Sequence, residues 1–264
     1  KVKGDKIFLL TGKNSFYKSG ADIQFKELIK KKNVKFFFKK SKYPNVVELK
    51  RIILSIKKFN PDSIVAVGGG SVLDYAKIAN CISEISNLEN QIINSKYKLK
   101  KSKQLIAIPT TAGSGAEVTS NAVIYVNKIK YSFEGFELVP DEFIINPKLV
   151  LNLNLKLKSS AGFDAISQSI ESLISVKSNL KSYNFAVKSL KFSLNSYIDY
   201  LKRPNLKNSY DMALAANLSG KAISISKTTA PHAISYPFTS HFSIDHGHAV
   251  SLTLNKFLKF NYKN

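Results

Sequence analysis

Ser63-Ile64-Val65-Ala66-Val67-Gly68-Gly69-Gly70-Ser71 decides the fold of this chain. An unbroken run of β-branched and small apolar residues reads as a strand buried on both faces. Three glycines then let the backbone turn sharply and approach a ligand closely. Helical spacing over 72–84 follows, so the glycines sit where a strand hands over to a helix N-terminus. The partial positive charge there suits a pyrophosphate, with Gly69, Gly70 and Ser71 as the candidate cradle. The run is not GxGxxG, and an ordinary strand-to-helix turn would also explain it.

A second loop strengthens the reading. Ile108-Pro109-Thr110-Thr111-Ala112-Gly113-Ser114-Gly115-Ala116-Glu117-Val118-Thr119 follows another strand-like run, Leu105 to Ile108. It offers hydroxyls and glycine amides as anion donors, Thr110, Thr111 and Ser114 foremost. Two such loops after two strands of one sheet would line the crevice beyond the strands' carboxyl ends, where α/β proteins bind ligands. Asp74 either holds loop amides or a ribose, or is a plain first-turn helix acid.

Outward from these loops, strands are expected at 6–11, 34–38, 123–126 and 143–145. Gly12 to Phe16 is expected as a turn, and helices are expected over 21–32 and from Pro44-Asn45 through Ile56. Strands alternating with helices imply a mostly parallel sheet with helices on both faces. After about residue 158 the periods are helical only, over 160–175, 179–200 and 208–225. The expected division is an α/β domain at 1–158 and an all-helical domain at 159–264.

The chain has 264 residues, 44% of them hydrophobic, enough for a sizeable core. No apolar run is long enough to span a membrane. The opening residues lack the regions of a signal peptide. The only methionine is Met212, so the first residue is not a translation start, and a fragment or processed form is expected. A single cysteine, Cys81, forms no internal disulfide, which fits a cytoplasmic protein. The net charge of +22 admits compositional drift, an anionic small-molecule substrate or nucleic acid. Lysines spread along the whole chain, beside abundant Asn and Ile, favour drift first and nucleic acid last.

All four histidines, His232, His241, His246 and His248, fall within 17 residues. Such clustering points to a metal or proton-transfer site. Earlier, Asp164 and Gln168 stand four apart on an otherwise apolar helical stretch and so share a face, turned either to solvent or to a buried polar site.

Taken in order, these motifs resemble the iron-containing (group III) alcohol dehydrogenases, from about residue 6 to 260. Gly68 to Ser71 with Asp74 and Lys77 is similar to that family's first cofactor loop, and Pro109 to Thr119 to its second. Gly162-Phe163-Asp164-Ala165 is similar to the start of its metal-binding helix. His232 and His246 fall where the family carries two histidine ligands, and Lys130 where it carries a lysine near the cofactor. The resemblance implies a dehydroquinate synthase-like architecture, a Rossmann-like NAD(P)-binding domain and an all-helical domain with the metal in the cleft between. It also implies further residues before Lys1 and a further helical segment after Asn264, leaving the helical domain truncated here.

The implied metal set is Asp164, Gln168, His232 and His246, holding a divalent ion, Fe2+ ahead of Zn2+. Gln168 departs from the family, which has histidine there, and so does Tyr236, at another common histidine position. An amide oxygen is the weaker donor, with His241 or His248 to compensate. Thr11-Gly12-Lys13 lacks the aspartate of NAD-preferring members, which leaves NADP ahead of NAD. His232 and His246 act in catalysis through the metal, and His248 or His241 would relay the proton.

The stretch from Ser226 to Tyr236, with Asp245 to Val250, is similar to a subgroup that reduces phosphonoacetaldehyde to 2-hydroxyethylphosphonate. Lys227 and Thr228 would then bind the phosphonate through charge-assisted hydrogen bonds. The alternatives are a dehydrogenase of another small alcohol, aldehyde or sugar, and a non-enzymatic basic binder. The expected partner is a small, anionic substrate, with no nucleic acid and no membrane; a homodimer is compatible with this reading.

Overall fold

The computed structural model describes residues 2–263. The chain separates into two compact units, residues 1–110 with 116–144, and residues 111–115 with 145–264.

In the first unit, β1 (Lys6–Gly12), β2 (Asn33–Lys39), β3 (Ser63–Gly68), β4 (Gln104–Pro109) and the short β7 (Glu142–Phe143) form one sheet in the order β2-β1-β3-β4-β7. Every pairing in it is parallel. Parallel register aligns Gly12 with Lys39 and Gly68 with Pro109, so the loops leave the sheet from one end. Phe8, Leu10, Ile64, Ala66, Leu105 and Ala107 face a core shared with α4 (Val46–Phe59) and α5 (Gly70–Cys81). Their neighbours Ile7, Leu9, Val65, Val67, Ile106 and Ile108 are equally buried, as central parallel strands require.

β5 (Asn121–Val126) and β6 (Ile129–Glu134) make an antiparallel hairpin. Its two-residue turn, Asn127-Lys128, has positive φ at both positions, the geometry that matches strand twist in tight hairpins. The expected turn at 12–16 is instead helical, as α1 (Lys13–Lys18). The expected helix over 21–32 breaks into α2 (Ala21–Gln24) and α3 (Lys26–Lys31). Phe25 interrupts it, its ring packed near Phe16, and Ile23 is left 71% exposed. A short α6 (Leu88–Ile93) follows α5, and a 3-10 turn at Phe136–Leu138 follows β6.

The second unit is helical: α7 (Pro147–Leu151), α8 (Leu155–Ile174), α9 (Leu180–Lys202), α10 (Leu206–Ser226), α11 (Ala230–Phe242) and α12 (His246–Lys263). The units divide after Ile144 rather than at 158 because α7 packs on α10 and the Tyr200 hydroxyl donates to Val150 O at 3.0 Å. Helices α8, α9 and α10 pack mutually through small residues. Ser169 Oγ donates to Ser189 Oγ at 2.8 Å, and Ser189 Oγ donates to Ala215 O at 2.8 Å, so these buried hydroxyls are satisfied across helices. No helix among the described residues is long and apolar enough to cross a membrane.

Candidate metal centre

Helix α8 starts at Asn154, whose side chain accepts from the Leu157 N–H. From that start Asp164, Gln168 and Glu171 recur at helical spacing and share one buried face. Helix α11 opens at Thr229 with Pro231 in its first turn, a position where a missing N–H costs nothing. His232 follows immediately and is buried. Helix α12 begins at His246. A Cβ on Gly247 would run into Ser160 O and crowd Asp164, so glycine there lets the start of α12 press against α8.

Asp164, His232 and His246 each offer one ligand atom, all within 4.8 Å of one another. His232 Nε2 lies 3.2 Å and His246 Nε2 3.9 Å from the same Asp164 Oδ1. Donors bonded to one ion at about 2.1 Å stand roughly 3 to 3.5 Å apart, so small movements bring all three into a first coordination sphere. Two imidazoles and a carboxylate also suit a first-row divalent cation. The residues therefore fit a metal.

His232 Nδ1 is hydrogen-bonded to Glu171 Oε1. Burial alone would depress the imidazolium, but the hydrogen bonds to Asp164 and Glu171 outweigh it and lift the His232 pKa to about 9. Burial likewise pushes the Glu171 carboxyl up, and bonds from His232 and Thr229 bring it below its ordinary value.

Gln168 sits beside the cluster differently from expectation. Its Oε1 accepts from Ser219 Oγ at 2.9 Å, while Nε2 lies 3.4 Å from Asp164 Oδ2 and 3.5 Å from Ser114 O. The amide nitrogen, a donor, faces the acid that would bind the cation. His241 and His248 are exposed and outside the cluster. His248 is two residues past His246 on α12 and so points to another face. The Tyr236 ring stacks on His246 at 5.8 Å and 14°.

Lys227 ends α10 with φ 64° and is half-buried, as is Thr228. Thr229 is held by Glu171, whose Oε2 accepts from its N–H at 2.6 Å and from its hydroxyl at 2.8 Å. Glu171 carried no role in the sequence reading, although it stands three residues past Gln168 on the face already singled out.

In the first unit, Gly69 brings no side chain to the start of α5, so no side-chain acceptor from that residue caps the helix, and only its carbonyl accepts, from the Val72 N–H at 2.9 Å. A Cβ on Gly68 would stand 2.5 Å from Val72 Cγ2, so only glycine fits. Thr110 N donates to Gly68 O at 3.0 Å, joining the two loops at their roots. The Thr110 hydroxyl is buried with no hydrogen-bond partner among the described residues, and a donor of that kind fits a phosphate oxygen. Buried Lys77 donates to Ala116 O at 3.1 Å and Thr119 Oγ1 at 2.8 Å, pinning the second loop. Burial raises Asp74 to about 6, with nearby Lys77 and Lys130 opposing.

Thr111 and Ser114 group with the helical unit. The glycines around them serve packing. Gly115 has φ 61°, and a Cβ there would collide with Ala216 O and Gly220; one on Gly113 would stand 2.8 Å from Ala161 O.

A family model described as iron-containing alcohol dehydrogenase matches residues 1–147, and one described as the C-terminal part of the Fe-containing alcohol dehydrogenase family matches 158–264. The chain is 29% identical to a 4-hydroxybutyrate dehydrogenase of Clostridium kluyveri, over 83% of this chain and 60% of that protein. It is 28% identical to a phosphonoacetaldehyde reductase of Streptomyces viridochromogenes, over 78% of this chain and 55% of that protein. Among solved structures it is similar to a sulfoacetaldehyde reductase of Bifidobacterium kashiwanohense in complex with NAD+. That likeness has 30% identity and a TM-score of 0.88, over 97% of this chain and 69% of the other. The chain thus spans less than two thirds of the length of these curated relatives.

Proposed function

Because the chain belongs to the iron-containing alcohol dehydrogenase family, we propose that the protein is a metal-dependent, NAD(P)H-linked reductase of a small anionic aldehyde. The convergence of Asp164, His232 and His246 carries this reading. When bound, a divalent ion supplies Lewis acidity and a nicotinamide cofactor supplies or accepts hydride.

The chain's own residues supply placement. Asp164 and the two imidazoles hold the ion, and Tyr236 packs against the His246 ring. The uncapped start of α5 at Gly69, Gly70 and Ser71 and the buried Thr110 hydroxyl suit the cofactor's phosphates. Lys130, close enough to influence Asp74, remains the candidate cation near the cofactor. Lys227 and Thr228, immediately before the Thr229-Ala230-Pro231 entry to His232, suit a substrate anion. His248 is exposed and suits proton exchange with water.

The names of three similar proteins support an anionic substrate, since phosphonoacetaldehyde, sulfoacetaldehyde and 4-hydroxybutyrate each carry an anionic group. Phosphonoacetaldehyde, reduced to 2-hydroxyethylphosphonate, is the specific candidate, and Lys13 beside Gly12 favours NADPH over NADH. The test compares turnover of phosphonoacetaldehyde and acetaldehyde by the whole, metal-loaded protein with each cofactor. Faster turnover of acetaldehyde refutes the anionic substrate.

A further inference from the structure

We infer that Glu171 is the positioning residue of the metal centre: it holds His232 in the tautomer that offers Nε2 to the cation. This rests on the reading that Asp164, His232 and His246 bind a metal.

Glu171 is fully buried on α8, one turn beyond Gln168. A buried carboxylate is costly unless its oxygens are hydrogen-bonded. Here both are. Oε1 takes His232 Nδ1, and Oε2 takes the Thr229 N–H and hydroxyl. An ionised carboxylate only accepts, so Nδ1 must carry its proton. In the neutral imidazole the lone pair then lies on Nε2, the atom 3.2 Å from Asp164 Oδ1, the same oxygen that lies 3.9 Å from His246 Nε2. A partner behind a metal-binding histidine fixes ring orientation and raises ligand basicity.

The second oxygen gives the same carboxylate a structural grip. Thr229 is the N-cap residue of α11, yet its side chain caps nothing within that helix. Its hydroxyl donates to Glu171 instead. One side chain therefore fixes the first turn of α11 in place and the imidazole that this turn carries. Lys227 and Thr228 immediately precede the clamped residue, so the segment proposed to hold the substrate anion ends at the same anchor.

The test is Co2+ titration of the metal-stripped whole protein, with circular dichroism and melting recorded without metal. Glu171→Gln keeps the volume and an acceptor for Nδ1 but loses the charge and confronts Thr229 with an amide. Its Co2+ affinity is expected to fall about 10- to 100-fold, and the visible cobalt spectrum to change. Glu171→Asp is expected to recover part of that loss. An affinity for Glu171→Gln within twofold of wild type, with an unchanged spectrum, overturns the inference and leaves the metal centre standing.

Where a variant fails to fold, the wild type alone decides through 15N shifts of His232 in the zinc-loaded protein. A protonated Nδ1 with zinc on Nε2 supports the inference; the reverse assignment overturns it. Failure of wild type to bind Co2+ or Zn2+ sinks the underlying metal reading and the inference with it.

Discussion

Gln168 stands one helical turn past Asp164, as a bidentate pair of ligands would, but its oxygen is occupied by Ser219. Asp164→Asn is therefore expected to lower Co2+ affinity by about a hundredfold, since it removes an anionic donor, whereas Gln168→Ala changes it by less than about tenfold. A metal titration of both variants checks the contrast; equal losses would make Gln168 a ligand. Residue types and spacing marked the histidine cluster, and the family resemblance singled out Asp164, His232 and His246 from it and from α8 before any coordinates. The direction of an amide is set by neighbours remote in sequence, and Ser219 belongs to another helix. Glu171 shared the legible face, but its partners Thr229 and His232 lie some sixty positions on, so spacing alone assigned it no work. Cys81 is a free, buried thiol. Burial pushes it up to about 12, and Sγ donates to Glu137 O at 3.1 Å. It is expected to resist a chromogenic disulfide reagent at pH 8 in the folded protein and to react on unfolding; prompt native-state labelling would contradict that burial.

Among elements, the helices draw on the chain's abundant asparagine. Asn45, Asn146, Asn154, Asn179 and Asn205 each cap a helix through the side chain, the last two in reciprocal capping boxes. Asn179→Ala, which frees two N–H groups at the start of α9, is expected to cost about 1 kcal/mol of stability by urea unfolding. A change below a few tenths would show that packing alone holds α9 in place. Long elements were legible: β1, β3, β4 and the helices α8, α9 and α10 fall where unbroken apolar runs or helical spacing put them. The hairpin was half legible. Val123 to Val126 is a plain run of β-branched and aromatic residues, but β6 needed Asn127-Lys128 to be recognised as a tight turn, and lysine is an unusual residue at positive φ. The α2–α3 break was illegible because it depends on Phe25 meeting Phe16 from another segment.

For the molecule as a whole, one unit holds the parallel sheet with the first glycine-rich loop, and the other holds the tip of the second loop and the ligand cluster. Buried Lys77 makes the first unit sensitive to alkali. Burial lowers its pKa to about 8, against opposing pulls from Asp74 and Glu117. Above that pH the unfolded chain holds a proton that the folded chain has released, so the Lys77 contribution to stability climbs as pH rises. The Cys81 thiol acts oppositely from its ordinary value of 9.0 upward. The Lys77 contribution therefore climbs between pH 8 and 9 by at most about 1 kcal/mol, while His232, held protonated in the fold up to about 9, works against it. The stability of wild type relative to Lys77→Met, from urea unfolding, is expected to be greater at pH 9 than at pH 8; a difference that stays level or shrinks would contradict the assignment. The ligand cluster sets a further condition. Its members come from α8, α11 and α12, so the span of chain from Asp164 to His246 is a closed ring once all three grip one cation. Such a clasp removes conformational freedom from the unfolded chain much as a crosslink does. It also imposes an order on biogenesis: a nascent chain released only as far as α10 holds the complete five-stranded sheet but a single member of the triad, and can acquire its ion only after α12 has emerged and docked.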